Sequence, residues 1–343
     1  MPANSKLRLD PRDEYTHPPE PLANYNESMY CNAFDGASGI GAWMRIGNRP
    51  NEGFAEVTCC VYLPDGRVGF MFGRPKITDN EAMAAGGMRF EVIEPFKRLR
   101  VSFEGELLLL DDPHAMADPS SAFKRYPKQP ASIALDYEGV SPIHGGEIVG
   151  LDGQPIELDP EQSVYRGHIE QNTAVRGDIS ISGQTYAIDG TGYRDKSWGP
   201  RHWHSFFWYK WAPVTFDREF GMLLSIKGWQ GKPDHVSGNV LRNGRYEPVL
   251  AGRIETEYDA QYYPRALSAH IETELGSYLL TGKMRTTVPL RHKRAGSDDP
   301  GSYTRITESM TEYSCAGRTM LGMTEYLDVM IDGVPISVIE EQR

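Results

Sequence analysis

An all-β chain of two domains is what this sequence predicts. Strand-like runs recur at about ten-residue spacing, with turn residues between them and no helix between successive strands, a pattern of antiparallel sandwiches or barrels rather than of a parallel α/β sheet. Helical periodicity never lasts long enough to organise a core. At 343 residues and 39% hydrophobic content, the chain is long enough to bury two cores.

Residues 1–25 hold five prolines and little periodicity, and read as an irregular arm lying over the fold. FAEVTCCVYLPDGRVGFMF (54–72) is two β-rich runs joined at Pro64-Asp65-Gly66. Proline presets φ there and glycine takes the strained position, so a hairpin is expected. MRFEVIEPFKRLRVSFEGELLLL (88–110) breaks in the same way at Pro95, and ASIALDYEG (131–139) is a further strand. Short helical turns are expected at DNEAMAAGG (79–87), which has an Asp/Asn cap and a glycine stop, and at DPHAMADPSSAFKRYP (112–127). The Gly-, Pro- and Asp-rich HGGEIVGLDGQPIELDPEQ (144–162) is the expected boundary between a first β domain, 26–160, and a second, 161–343. Strands then resume from VYRGHIEQNTAVRGDISISGQTYAIDG to TRITESMTEYSCAG, with a hairpin signal at Asn243-Gly244.

A net charge of -11, from 47 acids against 36 bases, opposes a polyanionic partner, and nucleic acid is not expected. The basic run 291–294 leads into AGSDDPGS and reads as a solvated turn. No apolar run reaches the ~18 residues of a membrane span, and the N-terminus lacks the apolar core of a signal peptide, so a cytoplasmic protein without a membrane span is expected. A homodimer is compatible with the sequence. Cys31, Cys59, Cys60 and Cys315 have no CxxC spacing and read as reduced structural thiols; Cys59 and Cys60, adjacent on a strand, should face opposite ways.

Several chemistries lack their motifs. GTGYRD (190–195) supplies only the first two glycines of a dinucleotide fingerprint, and there is no Walker loop, G-x-S-x-G elbow or H-E-x-x-H. No cofactor is expected. His202 and His204 would share a face on a strand and could join Asp195 on a metal; pocket-lining donors or structural histidines are the competing readings, and no metal is assigned.

The chemistry-bearing residues gather in two stretches. In HWHSFFWYKW (202–211), alternation puts Trp203, Ser205, Phe207, Tyr209 and Trp211 on one face and His202, His204, Phe206, Trp208 and Lys210 on the other. Four of the six tryptophans fall within 198–211, more aromatic surface than one strand needs for packing, as in the lining of a ligand pocket. In YRGHIEQN (165–172), Arg166, His168, Glu170 and Asn172 share a face that is either solvated or lines a polar pocket. In GTGYRDKSWG (190–199), Tyr193 and Asp195 share a face, and Asp195 either pairs with a neighbouring base or serves the chemistry.

GTGYRDKSWGPR resembles the G-x-G-Y-x-D-H-x-W-G signature of the carotenoid 1,2-hydratase (hydroxyneurosporene synthase) and AttH-like superfamily, which includes kievitone hydratase and fungal decalin-forming Diels-Alderases. NESMY (26–30), GNRPNEG (47–53) and GHIEQ (167–171) look like one bacterial branch of that group. The resemblance implies two lipocalin-like β-barrel or sandwich domains with an apolar ligand between or within them. By motif it implies Asp195 as the acid that protonates an alkene, with Tyr193 beside it and His168 in support. The chain departs from the pattern at Glu170, where a tryptophan would stand, and at Lys196-Ser197, where His-Asn is usual.

Hydration of an isolated alkene needs a carboxylic acid kept protonated by an apolar pocket. It also needs aromatic faces for the developing cation, here Trp198, Trp203, Trp208 and Tyr209, and a base for the attacking water, His168 or Glu170. The expected activity is therefore cofactor-independent hydration or dehydration of an apolar, isoprenoid-like small molecule. A double-bond isomerase or pericyclase, in which Asp195 and Lys196 orient a carbonyl, and a non-catalytic terpenoid or lipid carrier are the alternatives.

Overall fold

The computed structural model describes residues 4–159, 163–202, 207–229, 232–293 and 303–341. Its strands form two large antiparallel sheets, the all-β, lipocalin-like arrangement expected. In the first sheet, Tyr25–Asp35, Ile40–Arg49, Phe54–Tyr62 and Val68–Gly73 follow one another as hairpins. Val68–Gly73 then pairs with Arg98–Leu110, and that strand with Lys128–Gly139. Lys128–Gly139 also pairs with Gly167–Ile181, whose hairpin partner Gln184–Pro200 returns to Tyr25–Asp35. The circuit of eight strands therefore closes on itself, which leaves no unpaired edge along it.

The second sheet runs from Trp208–Thr215 through Phe220–Gly228 and His235–Arg242. The chain then changes neighbour at Val249-Leu250: Arg245–Pro248 pairs with His235–Arg242, whereas Ala251–Tyr258 pairs with Pro264–Thr273. Gly276–Lys293, Tyr303–Cys315 and Arg318–Ile331 follow in order, and the last pairs with Trp208–Thr215. Trp208–Thr215 thus lies in the middle of the sheet, and Arg245–Pro248 and Ala251–Tyr258 are its two edges.

Two local expectations are corrected. His144–Gly150, Gly167–Ile181 and Gln184–Pro200 all belong to the first sheet, so the strands of the two sheets part between Pro200 and Trp208 rather than at residue 160. The stretch 144–162 is rich in turn residues because it contains a loop, and composition does not distinguish a loop within a sheet from a linker between sheets. Residues 79–87 form no helix: Ala84 and Ala85 pair with Arg89 and Met88 around Gly86 and Gly87, both at positive φ. At 112–127 the short helices appear as expected, Pro113–Ala117 and Pro119–Arg125, capped by the Asp112 and Asp118 side chains.

The first barrel and the second sheet each enclose a packed apolar cluster. Met29, Cys31, Met44, Val57, Val101 and Tyr137 are among the side chains packed inside the first, and Val214, Met222, Leu224, Tyr313 and Tyr326 inside the second. A third apolar cluster lies between the sheets, where Tyr30, Trp43, Tyr62 and Phe70 meet Val288, Met310, Leu321 and Met323. Tyr25–Asp35 is consequently buried at all of its residues, odd positions facing the barrel core and even ones the second sheet. Cys59 and Cys60 divide in the same way, and all four cysteines are free and buried. No helix among the described residues is long and apolar enough to cross a membrane.

Acidic side chains of the N-terminal arm and of the last helix bond to the two sheets. In the N-terminal arm, Glu14 takes a two-pronged bond from Arg194, and His17 bonds Glu27 Oε1 at 2.8 Å. At the other end, Glu340 and Glu341 of the helix Ile336–Glu341 accept from Trp208 Nε1 and Lys210 Nζ, at 2.8 and 2.7 Å.

Candidate active site

A two-residue turn builds the core of the site. Ser182 (φ 54°) and Gly183 (φ 79°) join Gly167–Ile181 to Gln184–Pro200, both residues at the positive φ that a type I′ hairpin requires. That turn sets the register, with Ile181 opposite Gln184, Asn172 opposite Tyr193, Glu170 opposite Asp195 and His168 opposite Ser197. Asp195 is paired in turn with Tyr30, and Tyr30 with Arg45. Cross-strand partners face the same way, so Glu170, Asp195, Tyr30 and Arg45 form one row across the outside of the first barrel, facing the second sheet.

A second row faces it. Trp211 is opposite Glu325, and Glu325 opposite Glu308. The two rows touch where Trp211 Nε1 donates to Glu170 Oε1 at 3.2 Å. The Trp211 ring stands edge-on to Tyr30 and to Tyr193, each at 5.7 Å between centroids. Tyr209, two residues before Trp211, donates its hydroxyl to Glu325.

His168 Nε2 contacts Asp195 Oδ2, and each side chain keeps about a quarter of its surface exposed. Burial pushes the Asp195 carboxyl up, but His168 foremost, then Arg201 and Arg45, outweigh it and the net shift is down. Burial likewise opposes charge on His168, but Asp195 and Glu170 outweigh it and raise its pKa. Both directions favour an imidazolium–carboxylate pair, against the expectation of a protonated Asp195. The pocket is not apolar enough at that point, because the second ionisable partner compensates the desolvation. Tyr165 stacks on His168 at 4.9 Å, and Arg201 donates to Ser197 Oγ at 2.5 Å. Burial, then the neighbouring Arg45, lowers Arg201 to about 10.

The remaining candidates separate. Tyr193, Glu170 and Tyr209 join His168 and Asp195. Lys196 and Trp198 do not: alternation along the strand turns them inward, where Lys196 Nζ bonds Glu27 at 2.7 Å and lies 4.6 Å from the Trp198 ring, itself stacked on His17 at 4.3 Å. The expected placement of Trp198 beside Asp195 is thus corrected. Gly167 lies opposite Trp198 and has no room for a side chain, since a Cβ would meet the indole at 2.1 Å. Trp208 faces the second barrel's core, on the opposite side of its strand from Tyr209. His202 is half-buried close to Arg201; Trp203 and His204 lie outside the described residues.

Tyr30, Arg45, Arg201, Trp211, Glu308 and Glu325 were not singled out for the site from sequence. Arg201 and Trp211 lie in stretches read above, while Tyr30, Arg45, Glu308 and Glu325 come from distant ones, and the packing of one sheet on the other unites them. The carboxyls of Glu308 and Glu325 meet there; burial pushes both up, and for Glu308 the Glu325 charge adds to the shift while Arg45 opposes it.

Ligand atoms of His168, Glu170 and Asp195 lie within 4.8 Å of one another, close enough for a divalent cation. His168 already directs Nε2 at Asp195, and Arg201 and Arg45 add positive charge, so the donor set fits an ion pair better than a metal. A cleft of about 440 Å³ lined by Glu255, Glu257, Lys283 and Glu312 lies elsewhere, on the second sheet.

Two lipocalin-like barrels with a polar, aromatic-walled seam between them define the class of protein. Solved structures share that fold. An AttH candidate from Nitrosomonas europaea superposes with a TM-score of 0.56 at 11% identity, covering 90% of this chain and 93% of the other. Kievitone hydratase from Nectria haematococca gives 0.53 at 11% identity, over 97% and 98%. CghA in complex with Sch210972 gives 0.52 at 10% identity, over 90% and 89%. These neighbours bear out, for the fold, the resemblance to the AttH and carotenoid-hydratase group. No curated protein matches the sequence. The chain belongs to DUF7064, a domain family of unknown function whose profile matches residues 10–330.

Proposed function

We propose that the chain is an enzyme that adds water to, or removes it from, an apolar unsaturated small molecule bound in the seam between the barrels. The observation that carries this reading is the His168–Asp195 ion pair, set beside Glu170 and beneath the Trp211, Tyr30 and Tyr193 rings. An imidazolium keeps its carboxylate partner charged, so the pair can serve as the base that takes a proton from the attacking water. The aromatic faces favour an apolar body and a developing cation. One fold neighbour is named a hydratase, which supports the same class. An isoprenoid-like alkene or tertiary alcohol is the substrate we expect.

A second reading, isomerisation or pericyclic ring formation, is favoured by Arg45 and Arg201 beside Asp195, which could polarise a carbonyl while the walls hold a reactive conformer. A panel of terpenoid alkenes and tertiary alcohols incubated in heavy-oxygen water separates the two. Heavy oxygen entering a product, and lost with Asp195→Asn, is the expected result. Products of unchanged mass but altered skeleton would replace hydration with the second reading, and retention without conversion would leave a carrier.

A further inference from the structure

We infer that Glu308 and Glu325 form a proton-sharing carboxyl pair that supplies the acid of the interdomain seam. The inference rests on the enzymatic reading above for its catalytic part and on geometry for the pair itself. Glu308 and Glu325 are register partners on Tyr303–Cys315 and Arg318–Ile331, and the turn at Ala316-Gly317 fixes that pairing. Directly opposed like charges are destabilising even on open sheets. Here Glu308 is 5% exposed, and the pair lies in the seam between Tyr30 and Tyr62 of the first barrel and Tyr209 and Trp211 of the second sheet.

Among the described residues, few titratable groups surround the pair. Arg45 faces it from the first barrel, Asp195 and Tyr30 from the adjoining row, Tyr209 from its own sheet, and Tyr62 and the Cys60 thiol from behind. Tyr62 donates to the Glu308 main-chain oxygen at 3.1 Å and so leaves the carboxyl to Glu325. Asp195 is already matched by His168. Among the described residues, Arg45 is the cation that faces the pair, and it also lies 3.7 Å from Glu56, so it offsets at most one of the two glutamates and the other is neutral by holding a proton, as in other carboxyl dyads. Glu325 is the half-buried member and presents this proton to the seam, while Tyr209 holds its second oxygen.

In the forward reaction the pair gives its proton to an alkene carbon, and the two carboxylates left behind are stabilised by Arg45 and the Tyr209 hydroxyl. Water then adds to the carbocation, loses a proton to Asp195 or Glu170, and that proton returns to the pair, so the sum is alkene plus water to alcohol. Asp195 acts as base and the carboxyl pair as acid, which reverses the role that the sequence resemblance implies for Asp195.

The test uses the full chain. An infrared spectrum in heavy water at neutral pH should contain a protonated-carboxyl C=O band that is lost in Glu308→Gln and in Glu325→Gln and kept in Asp195→Asn. A wild-type spectrum without the band overturns the inference. Glu308→Gln keeps the neutral hydrogen-bonded shape, and thermal unfolding checks that it folds; Glu325→Gln is the second, independent probe. With any substrate found in the heavy-oxygen panel, Glu308→Gln should retain binding and lose at least about 100-fold in turnover, the low end of a general acid's contribution. Turnover equal to wild type in Glu308→Gln would remove the donor role even with the band present. Failure of every panel substrate with the wild-type protein would count against the hydratase reading alone, because the infrared band decides the pair without turnover.

Discussion

Trp211 of the second sheet and Glu170 of the first barrel meet across the seam through an indole N–H that donates to a carboxylate at 3.2 Å. The contact joins the two halves at the point where the candidate chemistry lies. Trp211→Phe keeps the ring against Tyr30 and Tyr193 but removes the donor, and should cost about 1.5–3 kcal/mol, the range for a hydrogen bond to a charged group. Trp211→Ala also removes the ring and should cost about 3–5 kcal/mol. Urea unfolding of both variants measures the difference; equal losses would mean that the ring contributes nothing beyond its N–H.

The His168–Asp195 pair makes a pH prediction with two limbs. His168 is raised, so its share of stability is present at low pH and is lost as pH rises through its folded-state pKa. Asp195 is lowered, so its share is present above the ordinary aspartate range and is lost as pH falls. The pair therefore stabilises most between the two titrations. In Asp195→Asn, burial is left to act on His168 with less opposition, and its pKa should fall, as read from the imidazole C–H resonance. A resonance that titrates identically in both proteins would rule the pair out.

At the barrel mouth, Lys196 and Glu27 are both fully buried at 2.7 Å. Burial alone would raise Glu27, but Lys196, then His17, bring it down to about 2. Its contribution is thus present above the ordinary glutamate range and fades as pH falls toward 2. Lys196→Met leaves the carboxylate buried without its main partner and should cost about 3–5 kcal/mol. The double variant with Glu27→Gln should recover much of that loss. A denaturant series on the single and double variants tests it, and no recovery would show that the pair is not coupled.

Asp328 shows the opposite sign. Burial holds its carboxyl up at about 6 although it accepts from Ser337 N at 3.0 Å. A raised carboxyl favours the folded state while protonated, so stability should decline as pH climbs from about 4 to about 6, by roughly 2–3 kcal/mol at about 1.4 kcal/mol per unit. Asp328→Asn keeps an acceptor for Ser337 and removes the charge. Its melting temperature should be flatter than wild type across that interval.

More of the site is legible in local sequence patterns than the motif stretches suggest. Two-residue turns ending in glycine, Ser182-Gly183 and Ala316-Gly317, fix register, and counting outward from Ile181/Gln184 and from Cys315/Arg318 places Glu170 opposite Asp195 and Glu308 opposite Glu325. The hairpin at Pro64-Asp65-Gly66 and the opposite facing of Cys59 and Cys60 follow from equally local rules of turn chemistry and strand alternation. Alternation also separates Asp195 from Lys196 and Trp198, so their inward turn was legible once the strand was assigned. Which strand face meets the second sheet follows from packing alone, and with it that Arg45, Tyr30, Trp211 and Glu325 share one seam with His168. Register is a short-range consequence of turn geometry. The docking of a closed barrel on a second curled sheet depends on the shape and burial of whole faces, which no local pattern encodes.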